Sequence, residues 1–113
     1  MPVTTRFPNL LVAAALAALG AGAQAADRAA GAKIADAQCA ACHGKDGKTP
    51  LDPSYPKLAG QYADYLAQAL RAYQTGDRQN AIMVGIAKPL SRQDIDNLAA
   101  YFESLPGPLT HRR

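Results

Sequence analysis

Nowhere in the 113 residues do polar and apolar positions alternate over the length of a strand, which excludes a β-sheet as the organising element. There is no internal repeat, no low-complexity tract and no interdomain linker, so a repeat array or a multidomain chain is excluded and one small domain is expected. Basic residues are scattered, the formal net charge is only +3, and no nucleic-acid motif accompanies them, so nucleic acid is not an expected partner. Cysteine is scarce, two residues in all, and none closely follows the first apolar run, so no lipoprotein anchor is expected. A hydrophobic fraction of 49% excludes disorder on composition.

The chain opens with Arg6 inside residues 1–8, an unbroken apolar run from Leu10 to Leu19, and small residues ending in Ala23-Gln24-Ala25. That order reads as a secretory signal peptide, cleaved after Ala25, with Ala23 as the second choice. A retained membrane anchor and a buried helix are the competing readings. Extended to Ala26 the apolar stretch only reaches the lower limit of about 17 residues for a spanning helix, and Gly20, Gly22 and Gln24 weaken it. The expected organisation is a signal peptide over 1–25 and one domain over 26–113, exported to the periplasm with no membrane anchor after cleavage. A domain this small buries a limited core and calls for reinforcement by a metal, a disulfide or a cofactor.

Residues 27–38 are alanine-rich with an acidic start and predict a helix. Residues 44–56 hold Gly44, Gly47, Pro50, Pro53 and Pro56 and predict a loop. Over 61–75, Tyr62, Tyr65, Leu66, Ala69, Leu70 and Tyr73 share one face at helical spacing, and Gly76 follows as a stop. Residues 77–90 read as irregular. Ser91, with Asp94 three residues on, marks the start of a last helix over 92–105, presenting Ile95, Leu98, Ala99, Phe102 and Leu105 and ended by Pro106-Gly107-Pro108. The expected fold is all-α, about three main helices joined by long loops that need something to pack against.

Cys39-Ala40-Ala41-Cys42-His43 is the C-x-x-C-H pattern of c-type haem attachment. Each thiol can add to one porphyrin vinyl group, and two intervening residues on a helical turn let both sulfurs reach the ring edge. His43 is then placed to give an imidazole nitrogen to the iron. Three other readings compete. A thioredoxin-like pair needs a strand–helix context that is lacking. A zinc site needs a fourth ligand, and the other histidine is His111 near the end of the chain. A disulfide across so short a loop constrains little. For a second axial ligand, removal of Met1 with the leader leaves Met83 as the one methionine of the mature chain. A thioether is a soft ligand whose pairing with histidine raises the iron potential. The competing account of Met83 is a core residue beside Ile82, Val84 and Ile86.

With these residues in view, the chain resembles the class I cytochromes c, above all short bacterial forms and single domains of the two-haem members. The resemblance runs over residues 27–105. It rests on Cys39–His43 with Gly44, on Pro56-Lys57-Leu58-Ala59-Gly60-Gln61, on Met83, and on Leu98-Ala99-Ala100-Tyr101-Phe102. It implies the class I cytochrome c fold around one covalently bound haem c with an exposed edge. It also implies a crossing of first and last helices at Gly31, with Leu98 and Tyr101 as partners. Ala35 stands where many members carry an aromatic residue. The family sets a proline carbonyl against the axial imidazole, for which Pro53 is the expected residue and Pro50 the alternative. Gln61, Tyr62, Arg71, Arg78 and Asn80 are candidate partners of the haem propionates.

The expected function is periplasmic transport of single electrons, without catalysis, by a monomer whose partners are redox proteins such as a reductase, an oxidase or other cytochromes. The alternatives are a small peroxidase-like haem enzyme, which needs an open iron site, and a gas or redox sensor with a displaceable Met83. Lys45, Lys48, Lys57 and Lys88 form a candidate positive rim for docking, although Asp46 and Asp52 lie among them.

Overall fold

The computed structural model describes residues 1–5 and 25–110, so the apolar run of the leader and the tail residue His111 lie outside the described residues. Helix α1 spans Arg28–Ile34, a π-helical turn spans Ala35–Cys39, and α2 spans Ala40–His43. Helix α3 spans Ala63–Thr75, α4 spans Ala81–Ala87 and α5 spans Arg92–Ser104. There is no strand among the described residues. The first helical run therefore carries on beyond residue 38 to His43, through a π-turn that shifts its register and ends at the first of the two cysteines.

Each start has a local cause. The Asp27 carboxylate accepts from the Ala30 amide at 3.1 Å and caps α1. Ser91 and Asp94 form a reciprocal capping box on α5, each side chain accepting from the other's backbone amide at 3.0 Å. Gly76 ends α3 in the left-handed conformation at φ 86°, which glycine adopts at no steric cost.

The frame is the crossing of α1 and α5. Gly31 is buried there, and a Cβ placed on it would collide with the Asn97 carbonyl and reach Tyr101 Cβ at 3.0 Å. The Asn97 side chain is buried as well, its Oδ1 accepting from the Asp27 amide and from Gln93 Nε2, each at 2.8 Å. Tyr101 thus meets Gly31 as the family resemblance implied, but the tightest approach comes from the Asn97 backbone. Gly31→Val is expected to force the helices apart and cost about 3 kcal/mol, read as a lower midpoint in chemical denaturation of the holoprotein.

Helix α3 lies against α5, so that Leu66 and Ala67 join Ala35, Leu90, Ile95, Leu98, Ala99 and Phe102 in one core. Ile95 and Leu98 are the largest side chains that this core encloses fully. The ion pair of Arg71 with Asp96, 2.7 Å apart, joins α3 to α5 but leaves both side chains about 40% exposed, 41% and 42%, so it contributes less than about 1 kcal/mol.

The stretch 77–90 departs from the irregular segment read from sequence. Asn80 accepts from the amides of Ile82 and Met83, both at 3.1 Å, and starts helix α4. Gly85 and three β-branched residues argue against a helix locally. Packing on α3, with Ala87 fully buried, outweighs them.

Candidate haem site

Cys39 closes the π-turn, and Cys42 and His43 follow on α2. Both cysteines are half-buried, and neither is in a disulfide. Before haem is attached, burial, with Cys42 adding to it, pushes the Cys39 thiol up to about 11, so it is protonated at neutral pH. The His43 ring is buried, and its Nδ1 stands 2.8 Å from the carbonyl oxygen of Pro56. A carbonyl only accepts, so Nδ1 carries the proton and the lone pair belongs to Nε2. The ring of Tyr55 is tilted against His43 at 6.3 Å between centroids.

The acceptor corrects the expectation of Pro53 or Pro50. The loop after α2 is built from two side-chain-closed turns. In the first, Asp46 accepts from the amides of Lys48 and Thr49 and from the Thr49 hydroxyl, at 2.9, 2.8 and 2.7 Å. Those bonds, the Lys48 amide's foremost, hold its carboxyl below the ordinary range. The stabilisation they give is therefore present above the usual carboxylate pKa and fades as pH falls through the depressed value. In the second turn, Asp52 accepts from the Ser54 amide and hydroxyl, and the Tyr55 amide donates to the Asp52 carbonyl at 3.0 Å. Pro53 is spent inside that turn, on the exposed side. The chain comes back to the histidine three residues later, at Pro56. The return is held by the Gly47 carbonyl, which accepts from Leu58 and Ala59 at 2.7 and 3.0 Å.

Met83 sits half-buried on α4, not on a loop, with its amide tied to the Asn80 cap. Of the candidate propionate partners, Arg71 is engaged by Asp96 and Asn80 by the start of α4. Arg78 packs over the Tyr73 ring at 5.1 Å and hydrogen-bonds Tyr65, which raises its pKa further. Gln61 accepts from the amide of Tyr62, itself exposed. Lys45, Lys48, Lys57 and Lys88 are all exposed, as are Asp46 and Asp52.

The residues fit a haem. Two thiols and an oriented imidazole form the donor set. Leu51, Tyr62, Tyr65 and Ile82, on the loop after His43, at the start of α3 and on α4, remain exposed. That much uncovered apolar surface on so small a core suits an apolar group still to be enclosed. A zinc site finds no support, because no three or more histidine, cysteine or acidic side chains among the described residues are placed to hold a metal ion together. Nor do those residues supply the strand that a thioredoxin-like motif needs.

Helical packing around a Cys-x-x-Cys-His turn with a carbonyl-fixed imidazole defines the class of covalent haem proteins. The cytochrome c family profile matches residues 28–106. A cytochrome c4 of Pseudomonas aeruginosa is 42% identical over 98 residues, covering 85% of this chain and 48% of that protein. A thiosulfate dehydrogenase electron acceptor of Thiomonas intermedia is 46% identical over 69 residues, covering 61% of this chain and 32% of that protein. The crystal structure of reduced cytochrome c4 from Pseudomonas stutzeri superposes with a TM-score of 0.62 at 34% identity, over 70% of this chain and 48% of that one. The chain thus spans between a third and a half of the length of these relatives. It belongs to the cytochrome c family, and its cofactor is covalently bound c-type haem.

Proposed function

We propose that the chain is an exported carrier of single electrons, with Cys39 and Cys42 as the thioether attachments and His43 Nε2 and Met83 Sδ as axial ligands. The observation that carries this reading is the bond from His43 Nδ1 to Pro56. It fixes the tautomer and the ring plane and makes Nε2 the better donor. When bound, haem supplies a one-electron ferric–ferrous couple. The chain's own residues hold the ligands in place, exclude water from the buried His43 side, and leave charged groups at the rim. With His43 and Met83 both holding the iron, no open position would remain for peroxidase chemistry or gas sensing. The expected partners are redox proteins. Two relatives bear the name of an electron acceptor for a dehydrogenase, which suits such a role. The exposed lysines 45, 48, 57 and 88 offer a salt-sensitive docking rim.

Voltammetry of the holoprotein with and without carbon monoxide tests the reading. A reversible one-electron wave that carbon monoxide leaves in place is expected. A wave displaced by carbon monoxide at low pressure would show an open or weakly closed site and favour the sensor.

Residues 1–25 act as the export signal in this reading, with 26–113 as the mature domain in the periplasm. No helix among the described residues is long and apolar enough to cross a membrane. Deleting residues 1–25 is expected to leave a colourless, poorly folded chain in the cytoplasm. Holoprotein formed there without added maturation enzymes contradicts the assignment of the leader.

A further inference from the structure

Helix α4 is weakly tethered for an element that carries an iron ligand. It is seven residues long, has Gly85 inside it, and packs chiefly on α3. An isolated helix of that length does not hold itself together in water. Its N-terminal end is fixed by the Asn80 side chain. Its C-terminal end is closed by the Leu90 amide, which donates to the Ala87 carbonyl at 3.1 Å, and is tied to α3 by one side chain. Gln74, half-buried in the last turn of α3, donates through Nε2 to the carbonyl of Ala87 at 2.8 Å and to that of Leu90 at 2.9 Å. One amide thus holds the last residue of α4 and the turn that leads into α5.

We infer that Gln74 is a positioning residue for Met83: by fastening the far end of α4 to α3, it sets where the thioether stands relative to the haem. The inference rests on the reading of Met83 as the sixth ligand. Leucine at 74 keeps the bulk and removes both donors. It leaves the Leu90 carbonyl without its side-chain donor and the Ala87 carbonyl with the Leu90 amide alone, at 3.1 Å, and loosens the C-terminal half of α4, so the thioether detaches more often. Lysine has the reach to donate to the same two carbonyls and restores the tether. Neither change touches the capping box of α5, whose loss in Ser91→Ala lowers stability through α5 and leaves the Gln74 bonds in place.

The test compares holoprotein of the wild type, Gln74→Leu, Gln74→Lys, Ser91→Ala and Met83→Ala. Two quantities are read: the near-infrared sulfur-to-iron band of the oxidised form, and the affinity of the reduced form for carbon monoxide. Gln74→Leu is expected to weaken the band and bind carbon monoxide about tenfold more tightly, the order that two lost hydrogen bonds allow. Gln74→Lys is expected to return both to the wild-type values, and Ser91→Ala to leave both unchanged. If Gln74→Leu yields no holoprotein, Gln74→Glu, which keeps the length but presents acceptors to the two carbonyls, is read in its place. Wild-type values in the Gln74 variant, with the band lost in Met83→Ala, overturn the positioning role alone. A similar weakening in Ser91→Ala also overturns it, since general destabilisation then explains the effect. A wild type that lacks the band overturns the ligand assignment and the positioning role with it.

Discussion

Met83→His lowers the reduction potential of the holoprotein by on the order of 0.3 V, within the roughly 0.8 V over which axial ligands move haem potentials. A neutral thioether is a soft donor that favours the ferrous state, whereas a second imidazole favours the ferric state. The iron stays six-coordinate and low-spin, because one protein ligand replaces another on the same helix. Met83→Ala behaves differently. It leaves the sixth position without a protein ligand, so the reduced form binds carbon monoxide and the oxidised form takes up water. Redox titration followed by optical spectroscopy separates the two variants. If Met83 is only a half-buried packing residue of α4, both substitutions leave the potential within a few hundredths of a volt, on the order of 0.03 V, of the wild type.

Replacing both cysteines has the largest effect on the molecule as a whole. The double variant Cys39→Ser, Cys42→Ser is expected to lose its colour on acid–organic extraction, whereas the wild type keeps it. Its fold is expected to suffer too. The protein core encloses only Ile95 and Leu98 fully among its larger side chains, and Leu51 and Ile82 stay exposed at 78% and 58%. Without the covalently held cofactor, that apolar surface has nothing to cover it, and a domain of this size sits close to the limit of independent stability. Circular dichroism of the double variant is expected to show reduced helicity and a broadened thermal transition. Full retention of haem through extraction contradicts thioether attachment at these positions.

The long elements of this fold were legible because they rest on repeating or local signals. The apolar stripe of α3 and the Ser91–Asp94 box of α5 are written in consecutive residues, and both helices form within two residues of their expected limits. The C-x-x-C-H turn was legible from its local spacing, whereas the tight crossing at Gly31, which joins residues far apart in the chain, was legible only through family resemblance. Helix α4 was not, because its sequence carries Gly85 and β-branched residues, and the helix exists through Asn80 and through packing on α3. The histidine's acceptor was misplaced by one turn. Three prolines in one loop offer three carbonyls, and the choice among them depends on the Asp46 and Asp52 turns, which fix how many residues the loop uses before it returns. Gln74 gave no signal at all: a glutamine on a helix face acquires its role only when two carbonyls from another segment arrive beside it.

The near-infrared spectrum of oxidised holoprotein tests the ligand set most directly, recorded for the wild type, for Met83→Ala and for a chain truncated after Thr110. Cutting there removes His111 and keeps the Thr110 hydroxyl that accepts from the Gly107 amide at 3.0 Å. The account predicts the sulfur-to-iron band in the wild type and in the truncated chain, and its loss in Met83→Ala. A spectrum that changes on truncation and stays the same in Met83→Ala would give the sixth position to the tail histidine and contradict the pairing of His43 with Met83.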